Sequence, residues 1–108
     1  MNPPKNAQAI LDKYREGLFA IFGEKLKNVI LFGSQARKDV HSGSDIDVLC
    51  VMDGPFDYGE MIRKTGDLTA SLSLEFDAVL SRAFVSEDEY LNCNLPFFQN
   101  VRREGIRL

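Results

Sequence analysis

The sequence predicts an α/β domain, a small mixed β-sheet flanked by helices. Three observations carry this reading. Apolar residues recur at three- and four-residue spacing near the start of the chain. Two short, β-branched runs follow, each closed by turn residues. A further helical stretch then precedes an alternating run. With 108 residues, the chain is expected to form a single domain over 1–108 and to bury roughly 60–70% of its unfolded surface. Hydrophobic residues at 44% and charged residues at 27% are ordinary globular values and argue against disorder.

Each element has a local cause. Ile10, Tyr14, Leu18, Ile21 and Phe22 form one stripe of a helix over 7–22, and Gly23 fits its stop. Lys27–Phe32 is an apolar run ending at Gly33 and predicts a buried strand. Residues 34–39 have room for one or two helical turns, followed by a polar loop, Val40 to Ser44. Asp45–Met52 predicts the second strand, closed by Asp53-Gly54-Pro55. Tyr58, Met61, Ile62, Thr65 and Thr69 predict a helix over 56–70, interrupted by two glycines. Ser73–Ser81 alternates, with Leu74, Phe76, Ala78 and Leu80 on one side and Ser73, Glu75, Asp77 and Ser81 on the other; this predicts a half-buried third strand. Ser86 with Glu89 makes a capping box for a short helix, and Leu95–Leu108 reads as a last helix broken at Gly105.

Composition excludes several function classes. A net charge of −3 lacks the basic footprint of a protein that lives on nucleic-acid phosphates. No apolar run approaches the roughly 18 residues of a membrane span, and Met1–Lys5 carries no signal-peptide core, so a soluble cytoplasmic protein is expected. Two cysteines, Cys50 and Cys93, and one histidine, His41, do not assemble a zinc site of the common types. Cys50, inside an apolar run, is expected in the core. At 108 residues, no separate acceptor-binding domain is expected.

The chemistry concentrates between Gly33 and Asp47, in G-S-Q-A-R-K-D-V-H-S-G-S-D-I-D. Asp45 and Asp47 are two apart on a strand, so both carboxylates project from one face. Like charges this close repel. They are tolerated at an exposed strand end, or around a divalent cation such as magnesium, whose usual ligands are one or two carboxylates plus substrate phosphates. Gly33-Ser34, where a strand feeds a short helix, offers backbone N–H groups and a hydroxyl to a phosphate; a plain turn uses the same residues. Arg37 is placed to reach a phosphate or to stand as a solvated helix charge, and His41 is first a loop histidine. Asp77 adds a third acid if its strand pairs beside Asp45–Met52, with Glu75 as its competitor. Three acids around two metals suit in-line phosphoryl or nucleotidyl transfer.

G-S-x-A-R, followed by S-D-x-D and a later aspartate in an apolar strand, resembles the DNA polymerase beta-type nucleotidyltransferase superfamily. The short length and the tail N-V-R-R-E-G-I-R-L are similar to its smallest members, the minimal nucleotidyltransferases. Lys38 departs from the glycine that commonly follows A-R in that family. The resemblance implies the nucleotidyltransferase fold, with Gly33 and Ser34 on the nucleotide phosphates, Arg37 on phosphate, and Ser44 orienting the loop. It implies Asp45 and Asp47 on two Mg²⁺ ions, and Asp77 on the catalytic ion nearest the acceptor hydroxyl. Proteins of this kind are typically antitoxins partnered with HEPN-domain toxins. The implied activity is transfer of AMP from ATP to a tyrosine of that toxin. Neutralisation by binding alone, and transfer to a small hydroxylated molecule, are the alternatives. Phe97-Phe98 is assigned first to the core, and second to a dimer or partner surface.

Overall fold

A computed structural model of the protein describes residues 5–32 and 46–108. Helix α1 (Lys5–Phe22) buries Ile10, Leu11, Tyr14, Leu18 and Phe22, while Ile21 of the predicted stripe stays 39% exposed. Gly23 ends the helix at φ +58°, a left-handed conformation that costs glycine nothing. A 3₁₀ turn, Gly23–Lys25, leads into strand β1 (Leu26–Phe32), which pairs antiparallel with β2 (Ile46–Met52). Helix α2 (Tyr58–Phe76) starts at Asp57, whose carboxylate accepts from the Glu60 N–H. It carries the chain over to β3 (Leu80–Ser86), which pairs parallel to β2. Helices α3 (Glu87–Asn92) and α4 (Pro96–Glu104) follow, and β4 (Ile106–Arg107) returns antiparallel to β1. The sheet order is β3-β2-β1-β4.

The two faces of the sheet have different cover. Val29 and Leu31, Ile46, Val48, Cys50 and Met52, and Leu80 and Phe84 face α1 and α2. A bulge between Leu26 and Asn28 lets Leu26 join Val29 on that face, although they are three positions apart. Ile30, Leu49, Val51 and Val85 face the other way, against Phe98 and Val101 of α4. A buried polar chain ties α1, α2 and β3 together. The Tyr14 and Thr69 hydroxyls are 2.7 Å apart, Thr69 donates to the Thr65 carbonyl, and Arg82 donates to the Thr65 hydroxyl and the Ile62 carbonyl. Every polar atom named there has a partner, which is what makes burial of the group tolerable.

Two predicted elements are corrected. The alternation over Ser73–Ser81 does not form a strand: α2 runs through Phe76 and β3 begins only at Leu80. Met61, Thr65, Leu68, Thr69, Leu72 and Phe76 continue one helical stripe onto the core, whereas Leu74, expected inside, is 84% exposed. The last helix likewise stops at Glu104, and the residues after Gly105 become β4. At Gly105 a Cβ would lie 2.5 Å from the Val101 carbonyl oxygen and 2.6 Å from Ile30 Cγ2. The glycine therefore serves a close approach of the chain to β1. The capping box at Ser86 is present as predicted, with both of its reciprocal hydrogen bonds.

Candidate active site

Asp47 is the second residue of β2 and is half-buried. By alternation it lies on the α4 side of the sheet, since Ile46 and Val48 face α1 and α2. Its register partner across the antiparallel ladder is Phe32, and across the parallel ladder it is Ser81. Phe32 ends β1 and Ile46 starts β2, so both strand ends that flank residues 33–45 lie at one end of the sheet. Gly33, Ser34, Arg37, Lys38, His41, Ser44 and Asp45 fall within 33–45 and lie outside the described residues.

Asp77 is described, and its position differs from the expected one. It is the C-cap of α2 at φ 50°, ψ 52°, exposed, with its N–H on the Ser73 carbonyl. Aspartate is among the few non-glycine residues that adopt this left-handed geometry readily. It is therefore not a strand residue paired with β2. The residue beside Asp47 is Ser81, and Leu80–Ser86 contains no acid. Asp77 nonetheless belongs to the same end of the sheet. The turn that follows it is fixed to β2 by the Ile46 N–H, which donates to the Val79 carbonyl at 2.9 Å. Glu75, the competing acid, is drawn away: it pairs with Lys13 of α1 at 2.7 Å.

Sequence reasoning missed two neighbours of Asp47. Ser81 was hidden by the misplaced strand, and the helical spacing through Phe76 was the signal that would have found it. The second is an aromatic row. Phe97, at the start of α4, packs edge-on against Phe32 with ring centres 5.6 Å apart, and against Phe98 at 5.2 Å. Within β2, burial pushes the Cys50 thiol up to about 12, which disfavours its thiolate. Among the described residues, no three His, Cys, Asp or Glu side chains come together. Surface clefts among the described residues lie beside Pro55 and Phe56, past the other end of β2.

The nucleotidyltransferase domain family matches residues 11–100. The chain belongs to that family. Two proteins of Methanocaldococcus jannaschii resemble it over nearly their full length. One, named "Putative protein adenylyltransferase MJ0604", is 35% identical over 93% of this chain and 95% of its own. The other, named "Putative protein adenylyltransferase MJ0141", is 33% identical over 92% and 95%. Among solved structures, a toxin–antitoxin complex with AMP-PNP matches with a TM-score of 0.57 at 21% identity, covering 87% of this chain and 68% of that one. A nucleotidyltransferase-type protein from Sulfolobus solfataricus matches with a TM-score of 0.54 at 17% identity, over 98% and 87%. At those identities the structural matches speak for the fold, and they agree with the mixed sheet described above. No helix among the described residues is long and apolar enough to cross a membrane.

Proposed function

We propose that this protein is a cytoplasmic, single-domain protein adenylyltransferase. In this reading it transfers AMP from ATP to a tyrosine of a HEPN-type toxin, and so acts as the toxin's antitoxin. The observation that carries the proposal is Asp47, a half-buried carboxylate at the start of a central strand in a chain of the nucleotidyltransferase family. The names of the M. jannaschii relatives support the choice of a protein as acceptor, and that of the toxin–antitoxin match supports a toxin partner.

The donor set fits magnesium. Asp47 offers hard carboxylate oxygen beside the Ser81 position, and Asp45 follows the same parity in the sequence. An ion held by this pair, with Asp77 as a candidate third ligand, would complete its shell with substrate phosphates and water, as magnesium usually does. Magnesium, as two ions in this proposal, would neutralise charge on the triphosphate and on the leaving pyrophosphate. Gly33, Ser34 and Arg37 are assigned to the phosphates, and Ser44 to orienting the loop before Asp45. The acceptor tyrosine oxygen forms a bond to the α-phosphorus, the bond from that phosphorus to the bridging oxygen breaks, and pyrophosphate leaves. The tyrosine proton passes to a carboxylate or to water. Asp77, exposed at the same end of the sheet, is assigned to that proton and approaches from the α2–β3 turn.

One observation favours a second reading, neutralisation by binding without transfer: the strand next to Asp47 brings Ser81 and no third acid. Intact-mass measurement of the toxin after co-production separates the two. Transfer predicts added AMP with the wild-type protein and none with Asp47→Asn. An unmodified toxin that both proteins neutralise equally would establish the binding reading.

A further inference from the structure

Phe97 is a large apolar side chain left 42% exposed, although it opens a helix whose next residue, Phe98, is only 8% exposed. Its ring is held from two sides. Phe32 meets it edge-on at an interplanar angle of 87°, and Phe98 does the same. Phe98 is in turn packed in the core cluster with Ile30, Leu49 and Val101. Pro96 in the first turn of α4 fixes the backbone on which both rings stand. The result is a rigid aromatic surface, anchored below and open to solvent. Its place is as telling as its exposure, because Phe32 is the register partner of Asp47. Directly opposed residues of an antiparallel pair project from the same face with Cβ atoms about 5 Å apart. Phe32 thus neighbours Asp47 across the ladder and Phe97 across the ring contact.

We propose that Phe97, braced by Phe32 and Phe98, is the platform on which the nucleobase of the transferred nucleotide stacks. The inference rests on the nucleotidyl-transfer reading of Asp47. A nucleotide presents two chemically distinct ends: phosphates, which need cations and N–H donors, and a flat π-system, which needs an apolar ring. Asp47 would mark the phosphate end through the ion it is proposed to hold, and the aromatic row lies on the same α4 side of the sheet. A ring already immobilised by two neighbours loses little freedom when a base lands on it. Stacking of this kind accepts any base, since every base has a π-face. The platform therefore supplies affinity for the nucleotide and does not discriminate adenine from guanine.

The test is equilibrium binding of ATP, GTP and inorganic triphosphate, each with magnesium and without acceptor, to wild-type protein, Phe97→Ala and Phe97→Trp. Loss of one stacked base predicts that Phe97→Ala binds ATP and GTP roughly 5- to 150-fold more weakly. Inorganic triphosphate binds unchanged, and Phe97→Trp restores both nucleotides. Equal ATP affinity in Phe97→Ala and wild type overturns the inference, and transfer lost in that variant would then assign Phe97 to the acceptor. An equal fall for triphosphate also overturns it, because the variant would have disturbed the phosphate end. Wild-type protein that binds neither ATP nor triphosphate refutes the nucleotidyl-transfer reading itself, and the inference falls with it.

Discussion

Asp47 and Ser81 occupy paired positions in adjacent parallel strands, so the side chain beside the β2 aspartate is a hydroxyl and not a second carboxylate. The nearest later acid of the expected set, Asp77, has moved to the end of α2. That separation predicts unequal roles. Asp47→Asn removes the proposed metal ligand and should abolish transfer. Asp77→Asn should lower turnover by roughly 100-fold, the lower range of a proton-transfer contribution, with ATP affinity unchanged. Asparagine also tolerates the left-handed backbone, so the cap should survive. Single-turnover kinetics beside ATP binding checks both. Wild-type turnover in Asp77→Asn would confine the chemistry to Asp45 and Asp47.

Gly105 should resist substitution more than its place near the C-terminus suggests. A Cβ there meets the Val101 carbonyl oxygen at 2.5 Å and Ile30 Cγ2 at 2.6 Å, and the first of these is backbone. Gly105→Ala must push β4 off β1 or shift the end of α4. Overpacking of this kind costs about 1–3 kcal/mol, a fall in Tm on the order of 5–15 °C for a domain of this size. An unchanged Tm would mean that β4 contributes nothing to the fold.

Alkaline pH should destabilise the protein through two buried acids. Burial pushes the Cys50 thiol from 9.0 up to about 12. It pushes the Tyr14 phenol from 10.0 up to about 12, against smaller opposing effects from the Thr69 hydrogen bond and Arg82. Each group holds its proton more tightly folded than unfolded. Its stabilisation is therefore complete below the unfolded value and is lost as pH rises from that value toward about 12. Each contributes a slope of up to about 1.4 kcal/mol per pH unit in that window. Denaturant midpoints across the range should fall from about pH 9, and Cys50→Ala should delay the fall to about pH 10. Stability that stays level to about pH 11 would contradict the burial of both groups.

Tyr14→Phe should cost little at neutral pH. Thr69 keeps its bond to the Thr65 carbonyl when the phenol is gone, so no buried donor is orphaned and the loss is about 1 kcal/mol. Removing the Thr65 hydroxyl should cost more, because it strips an acceptor from Arg82 as well as a bond to the Met61 carbonyl. Denaturation of Tyr14→Phe and Thr65→Val decides this, and the reverse order would contradict the network.

Much of the framework was legible in the sequence because its periods were unambiguous. The stripe of α1, the apolar runs of β1 and β2, and the Ser86–Glu89 box each had one dominant local cause. Asp47 could be placed on its strand for the same reason. The region from Ser73 to Ser81 was not legible, because a half-apolar stretch satisfies a period of two and a period of 3.6 over a short window. The longer stripe from Met61 to Phe76 decides it, and with it the position of Asp77. Strand β4 was hidden by its length: Ile106–Arg107 has no period at all, and only the ladder of β1 makes it a strand. Phe97 was assigned first to the core because adjacent aromatic residues do not show which ring points inward.

The central claim is that the carboxylate of Asp47 serves nucleotidyl transfer to a protein. The most direct test incubates purified protein with magnesium, ATP labelled at the α-phosphate, and the purified HEPN-type toxin. Label is expected on a toxin tyrosine, dependent on magnesium and absent with Asp47→Asn. A toxin that stays unlabelled with wild-type protein, or is labelled equally by Asp47→Asn, would contradict it.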